Sequence, residues 1–286
     1  VIAAFHNAEN LVEPIPDLTA LRAQKSLGYM GQAIDTSHPL HDEELVDIRD
    51  FGIPASSYYA QPNGMTGEPL PGVPNLPLVR ADVARRLKLA DHELRTSKEV
   101  REALGGYACL RVDDAIRPLS VQQIAYDEAW PAIIRRKNPT ITDEALDAVR
   151  SKYIAKPNAA TPHATGGAVD VRLIRPATGV PFDRGHQSGT ILGTAYPDYY
   201  EADFAPESVE MAETRERHLA SLPEATFRES LLSRRVLYNA MRAAGFAVNP
   251  TEIWHYGKGD PLSGFVDGYK PYYGVAELPE WYQLGE

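Results

Sequence analysis

The chain is poor in cysteine, in long apolar runs, in repeats and in positive charge, and each shortage removes a class of protein. Cys109 is the only thiol in 286 residues, which excludes an internal disulfide and a CxxC zinc site. No apolar run approaches the roughly 20 residues a membrane span needs. Lys and Arg number 29 against 39 Asp and Glu, a formal net charge of -10. That balance argues against nucleic acid and against an anionic membrane surface as partners. One thiol does not fix the compartment, with cytoplasm the easier reading, and no basic-then-apolar signal segment is visible. A signal removed ahead of Val1 would instead place the protein in the periplasm or outside the cell. What is present is an ordinary globular composition, 43% hydrophobic and 24% charged, enough for one large domain or two small ones.

Residues 1 to 50 are mixed and read as an irregular N-terminal arm that packs on a core formed by 51 to 286. Residues 51 to 78 are crowded with Pro and Gly, which marks loop or short strand. A loop that long in a compact domain reads as functional, here as a covering flap. Val79, Val83, Leu87, Ala90 and Leu94 recur at helical spacing and predict a helix over 79 to 97. Residues 106 to 114 alternate like a strand with Ala108, Leu110 and Val112 inward. Pro118 is placed to open the next helix, and Pro131 is expected to break or kink it. Thr142 is a candidate N-cap for a helix over 142 to 153 with Leu146, Val149 and Tyr153 on one stripe. Residues 175 to 204 read as loop, and the acidic stretch near 205 to 226 as a surface insertion. Phe227, Leu231, Leu232, Val236, Leu237, Ala240, Met241 and Ala244 form the clearest helical stripe, closed by Gly245. Strands separated irregularly by helices predict an α+β domain.

Two stretches carry chemistry. The first runs from Thr161 to Leu173 and holds His163 and Asp170 on either side of Gly166-Gly167. From Val169 to Leu173, Val and Leu alternate with Asp170 and Arg172, as in a strand with one apolar face. Seven residues apart on one straight strand, His163 and Asp170 would face opposite ways; the two glycines allow the chain to turn so that both converge. The second stretch, Glu252-Ile253-Trp254-His255-Tyr256, offers another imidazole and carboxylate. Two His, one Asp and a spare Glu are the parts of an open catalytic zinc site. A single His is more often a structural residue, and His186 and His218, in polar loop-like sequence, are read as bystanders. An Asp among valines, however, is costly unless paired or metal-bound. On a regular strand Glu252 and His255 would point apart, so a bulge or a turn position for Glu252 is required. Arg117, past a strand end, either pairs with Asp113 or Asp114 or presents its planar fork to a carboxylate or a developing oxyanion.

Three motifs together resemble the D-alanyl-D-alanine dipeptidases, zinc peptidases related to the vancomycin-resistance dipeptidase. They are Asp114-Ala115-Ile116-Arg117-Pro118, His163-Ala164-Thr165-Gly166-Gly167-Ala168-Val169-Asp170 and Glu252-Ile253-Trp254-His255. The run from Ser233 through Gly245-Phe246 to Pro250-Thr251-Glu252 is similar to the family's segment leading into its last ligand. The likeness extends loosely from Tyr58 to Asp260. Here Ile253 stands where the family usually has an aromatic residue, and Thr161 where it often has Ser.

The resemblance implies a central antiparallel sheet flanked by helices, with the zinc site in a cleft on the sheet. It implies one zinc ion (Zn2+) per chain held by His163, Asp170 and His255, with Glu252 as catalytic base and Arg117 as transition-state stabiliser. It implies Thr161 as a hydroxyl contact to the substrate and Asp198 as the partner of the substrate amine. The substrate so implied is a small D,D-dipeptide, D-Ala-D-Ala foremost. The alternatives are a zinc carboxypeptidase or endopeptidase acting on peptidoglycan peptides, and a non-catalytic zinc-containing binding module, which retention of Glu252 and Arg117 argues against. A non-haem iron oxygenase would place its first His and its acid two residues apart rather than seven.

Overall fold

The structure, a computed structural model, describes residues 10–25, 28–62, 67–70, 73–150, 154–158, 160–185, 191 and 193–279. In chain order the elements are α1 (Thr19–Lys25), β1 (Leu45–Asp47), β2 (Leu78–Arg80), α2 (Ala81–Thr96), α3 (Lys98–Leu104), β3 (Cys109–Asp114), α4 (Leu119–Ile124), α5 (Trp130–Lys137), α6 (Asp143–Arg150), β4 (Ala168–Ile174), α7 (Val209–Ser221), α8 (Glu224–Ala243), β5 (Ala247–Asn249), β6 (Glu252–Gly257) and α9 (Pro261–Asp267). Strands β3, β4, β6 and β5, in that spatial order, form an antiparallel sheet, and β1 pairs with β2 in a separate ribbon. Helices pack on the larger sheet, so the expected α+β architecture is the one observed. No helix among the described residues is long and apolar enough to cross a membrane.

Alternation along the strands divides the sheet into two faces. Leu110, Val112, Val169, Val171, Leu173 and Tyr256 are buried in the main core, which α2 fills with Val83, Ala84, Leu87, Ala90 and Leu94 and α8 with Val236, Leu237, Ala240 and Met241. Asp170 and Arg172 point the other way and stay partly accessible. Removing such apolar side chains from water contributes about 1.5–3 kcal/mol each, so the pattern commits β4 to this orientation. The buried carboxylate of Asp91 on α2 accepts the Leu110 N–H at 2.9 Å and Arg95 Nε at 2.7 Å, fixing the helix to the edge strand β3. Helix α8 ends where Gly245 takes φ 85°. The Gly245 N–H then reaches the Arg242 carbonyl at 2.9 Å and the Phe246 N–H the Met241 carbonyl at 3.0 Å, which satisfies carbonyls the helix leaves open.

The N-terminal residues contribute Leu11, Ile15 and Leu18 to the same core. Tyr59, from the Pro- and Gly-rich stretch, is buried with Val121, Ala125 and Trp130 in a satellite cluster, and its hydroxyl accepts the Trp130 indole N–H at 3.2 Å. In the acidic stretch, α7 starts with the Ser208 hydroxyl accepting the Met211 N–H at 3.1 Å and buries Met211 and His218.

Two local expectations are corrected. Residues 79 and 80 are strand rather than helix, because Val79 and Arg80 pair with Val46 and Leu45 before α2 begins. Pro131 does not end the helix that follows Pro118. A π-helical turn over Ala125–Ala129 joins α4 to α5, and Pro131 sits at the start of α5. Proline lacks an N–H and crowds the preceding turn; the wider π turn and an early position in α5 relieve both demands. Tyr153, expected on the α6 stripe, lies outside the described residues.

Candidate metal centre

The first motif is shaped by a short 3-10 turn, Pro162–Thr165, that ends with Gly166 at φ 71°. A Cβ at Gly166 would come within 2.6 Å of Leu45, and one at Gly167 within 2.7 Å of the Lys258 carbonyl. Glycine is needed at the first position for its backbone angle and at the second for close approach. The turn places His163 beside the start of β4. Asp170 on β4 is the register partner of His255 on β6, and partners across antiparallel strands project from the same face.

The three side chains meet. His163 Nε2 lies 3.1 Å from His255 Nδ1 and 3.3 Å from Asp170 Oδ1, and His255 Nδ1 lies 3.2 Å from that same oxygen. His163 Nδ1 is 2.8 Å from the Ala115 carbonyl; a carbonyl only accepts, so Nδ1 carries the proton and Nε2 turns its lone pair inward. Asp170 Oδ1 is buried and accepts no hydrogen bond among the described residues. Burial would raise the Asp170 pKa, but His163 and His255 hold it well below the usual carboxylate range. Burial would lower the His163 pKa, and the Asp170 carboxylate more than reverses this. The cluster therefore calls for a positive charge at its centre.

A divalent ion meets that demand. Ligand atoms bonded to zinc at about 2.0–2.2 Å in tetrahedral array lie about 3.3–3.6 Å apart, near the observed edges. Two imidazoles and one carboxylate are a donor set that suits zinc. His163, Asp170 and His255 could thus hold a metal ion.

Glu252 and Arg117 stand around this centre. The β5–β6 pairing jumps from Val248↔Tyr256 to Asn249↔Glu252, an irregularity that removes the strict alternation separating Glu252 from His255. Glu252 Oε2 is 3.9 Å from His255 Nδ1 and accepts the Asn249 amide at 2.6 Å. Arg117 uses Nε and Nη2 on Asp114 Oδ2, at 2.9 and 2.6 Å, and Nη1 on Gln122 Oε1 at 2.9 Å. Nη2 also lies 3.8 Å from Asp170 Oδ2. Burial works against the Arg117 charge, but Asp114, the neighbouring Tyr59 and Asp170 raise its pKa. Arg117 is thus paired with Asp114, one of the two partners expected for it, and that pairing leaves Nη2 on the side of Asp170. Gln122, Asn249 and the Ala115 carbonyl are supporting groups that motif spacing did not single out.

The remaining candidates are placed less directly. Thr161 is buried two residues before His163, and its Oγ1 accepts the Asn158 N–H at 3.1 Å. Asp198, expected at the substrate amine, is fully buried with both oxygens engaged: Oδ1 by Arg22 Nη1 at 2.7 Å and Oδ2 by the Leu18 N–H at 3.1 Å. Its carboxylate fastens the N-terminal segment and is not presented to a ligand, which corrects that expectation. His218 bonds Tyr199 Oη at 3.2 Å within a separate aromatic cluster, and His186 lies outside the described residues.

A family model described as D-ala-D-ala dipeptidase matches residues 42–273. The chain is also 30% identical, over 161 residues, to a D-alanyl-D-alanine dipeptidase from Synechocystis sp.. That match covers 53% of this chain and spans 60% of the relative's length.

Proposed function

The chain belongs to the D-ala-D-ala dipeptidase family, and from that premise we propose that it is a zinc-dependent peptidase hydrolysing small D,D-dipeptides, D-Ala-D-Ala foremost. The observation that carries the proposal is the placement of Glu252 and Arg117 around the three-membered cluster: a partly exposed carboxylate and an anchored guanidinium stand on either side of the candidate metal position. When bound, zinc supplies Lewis acidity, polarising the scissile carbonyl and acidifying water.

The protein groups divide the remaining work. Glu252, whose side chain is 37% exposed, takes a proton from the attacking water and passes it to the leaving amine. Arg117 Nη2 neutralises the oxyanion that develops on the scissile carbonyl, and Asp114 with Gln122 holds the guanidinium in place. Ala115 fixes the His163 tautomer. Asn249 holds the Glu252 carboxylate in one rotamer.

The test is a panel of D,D-, L,D- and L,L-dipeptides together with a peptidoglycan stem peptide, assayed with zinc-replete protein. Hydrolysis of D-Ala-D-Ala in preference to the rest supports the proposal. Preference for the stem peptide would move the protein to the carboxypeptidase or endopeptidase reading. No turnover of any peptide, with zinc bound, would leave a binding module.

A further inference from the structure

Beyond Asp170, the same face of the sheet carries a row of guanidinium groups, and one of them differs from its neighbours. Arg172 and Arg111 share Asp113. Arg175 pairs with Glu229 at 2.8 Å and lies over the Phe182 ring at 4.1 Å. Arg184 has no carboxylate partner among the described residues. Its guanidinium lies over the Trp254 ring, 5.2 Å from the centroid, and makes one long bond of 3.4 Å from Nη1 to the Val171 carbonyl. Val171 follows Asp170 and Trp254 precedes His255, so this group sits against the neighbours of two cluster members. A cavity of about 450 Å³ opens here, lined in part by Arg172, Arg175, Phe182 and Arg184.

The backbone beneath Arg184 is fixed. Buried Arg234 donates from Nε to the Arg184 carbonyl at 2.6 Å, and from its other nitrogens to Tyr196 and Thr194 carbonyls. Tyr200 Oη donates to the Gly185 carbonyl at 3.2 Å. Gly185 takes φ 62°, and a Cβ there would fall 2.0 Å from Tyr200 Oη. A side chain carried on so constrained a support is preorganised.

We propose that Arg184 recognises the free C-terminal carboxylate of the dipeptide, an assignment that rests on the peptidase reading above. A desolvated guanidinium that no carboxylate touches is costly; Asp113 and Asp170 act on Arg184 only from a distance, and a bound carboxylate supplies the direct contact it lacks. Burial pushes the Arg184 pKa down to about 10, with Arg172 acting in the same direction and the more distant Asp113 and Asp170 only partly opposing it. Stacked on an indole, a guanidinium keeps its in-plane N–H groups free for a two-pronged contact. In a dipeptide the carboxylate is one residue from the scissile carbonyl, so its binder belongs beside the metal cluster and not within it. The assignment also accounts for selection by length: a substrate extended at its C-terminus brings no carboxylate to this spot and leaves Arg184 unpaired.

The experiment uses zinc-loaded Glu252→Gln protein, in which binding is read without turnover. Calorimetric affinities for D-Ala-D-Ala and for its C-terminal amide are compared with Arg184 present and with Arg184→Gln added. The expected result is that Arg184 protein prefers the free acid by on the order of tenfold or more, and that Arg184→Gln binds acid and amide alike with zinc content unchanged. A structural role would weaken both ligands together, so an acid-to-amide ratio that survives Arg184→Gln overturns the assignment alone. Binding of neither peptide, with no cleavage by the unaltered protein, would overturn both the assignment and the peptidase reading.

Discussion

Asp170 and His255 are register partners on adjacent strands, and their Oδ1 and Nδ1 atoms lie 3.2 Å apart. The main-chain ladder between β4 and β6 therefore also sets the geometry of the candidate metal site: a shift by one residue would turn one of the two side chains to the opposite face. His163 joins from outside the ladder, through a turn tied to the end of β3 by the Arg117 N–H to His163 carbonyl bond at 3.1 Å.

Each member of the cluster is needed to complete the metal position, so His163→Ala, Asp170→Ala and His255→Ala should each lose most of the zinc. Purified protein is expected to carry about one zinc per chain, and the variants far less after gel filtration. Metal analysis checks this, and full zinc retention in His163→Ala is the result that would remove it from the ligand set.

Arg117→Lys should keep zinc and lose turnover by about 10²–10³, the usual cost of removing an oxyanion donor. An ammonium cannot span Asp114 and Gln122 while also reaching the centre. Steady-state kinetics alongside zinc content decide the matter. Wild-type kcat in this variant would confine Arg117 to its pairing with Asp114.

The local signals in the sequence carried much of the architecture. The α8 stripe and Gly245 gave both the buried face and the end of that helix, and the Val-Asp-Val-Arg-Leu alternation gave the two faces of β4. What local pattern cannot carry is pairing across distance. Asp170 and His255 are brought together by register, and their convergence was readable only through the resemblance of the whole motifs. Asp198 failed for the same reason: its carboxylate is taken by Arg22, 176 residues earlier in the chain, and nothing near Asp198 announces that partner. At Pro131 the rule that proline breaks helices was sound, but a π turn just upstream supplied a compensation with no sequence signature.

Gly167→Ala should destabilise the fold more than Gly166→Ala. The added methyl at Gly167 meets the Lys258 carbonyl, a backbone atom on the far side of the turn, at 2.7 Å, whereas at Gly166 the nearest atom is the tip of the Leu45 side chain. Gly166→Ala still bears the strain of φ 71°. Losses of about 1–3 kcal/mol are expected for overpacking at Gly167, together with weakened zinc binding, because the Gly167 carbonyl accepts the Lys258 N–H at 2.9 Å just past His255. Denaturant midpoints for the two variants test the order, and a larger loss at Gly166 would refute it.

The last prediction separates the base from the ligands. Glu252 is 3.9 Å from His255 Nδ1, farther than any edge within the cluster, and its Oε2 is already held by Asn249 at 2.6 Å. A three-ligand site is complete without it. Glu252→Gln keeps the side chain's shape and its contact with Asn249 but cannot take a proton; Glu252→Ala removes both. Both variants should fold and retain zinc, and D-Ala-D-Ala turnover should fall by roughly 10²–10⁴, the usual contribution of a positioned acid-base group. If Glu252 were a ligand, metal would leave together with activity. If its role were only to brace Asn249, Glu252→Gln would stay active, since the amide oxygen can still accept that bond. Zinc content and dipeptide hydrolysis measured side by side in the unaltered protein and both variants discriminate these outcomes, and an active, zinc-loaded Glu252→Ala would rule out the proposed proton transfer.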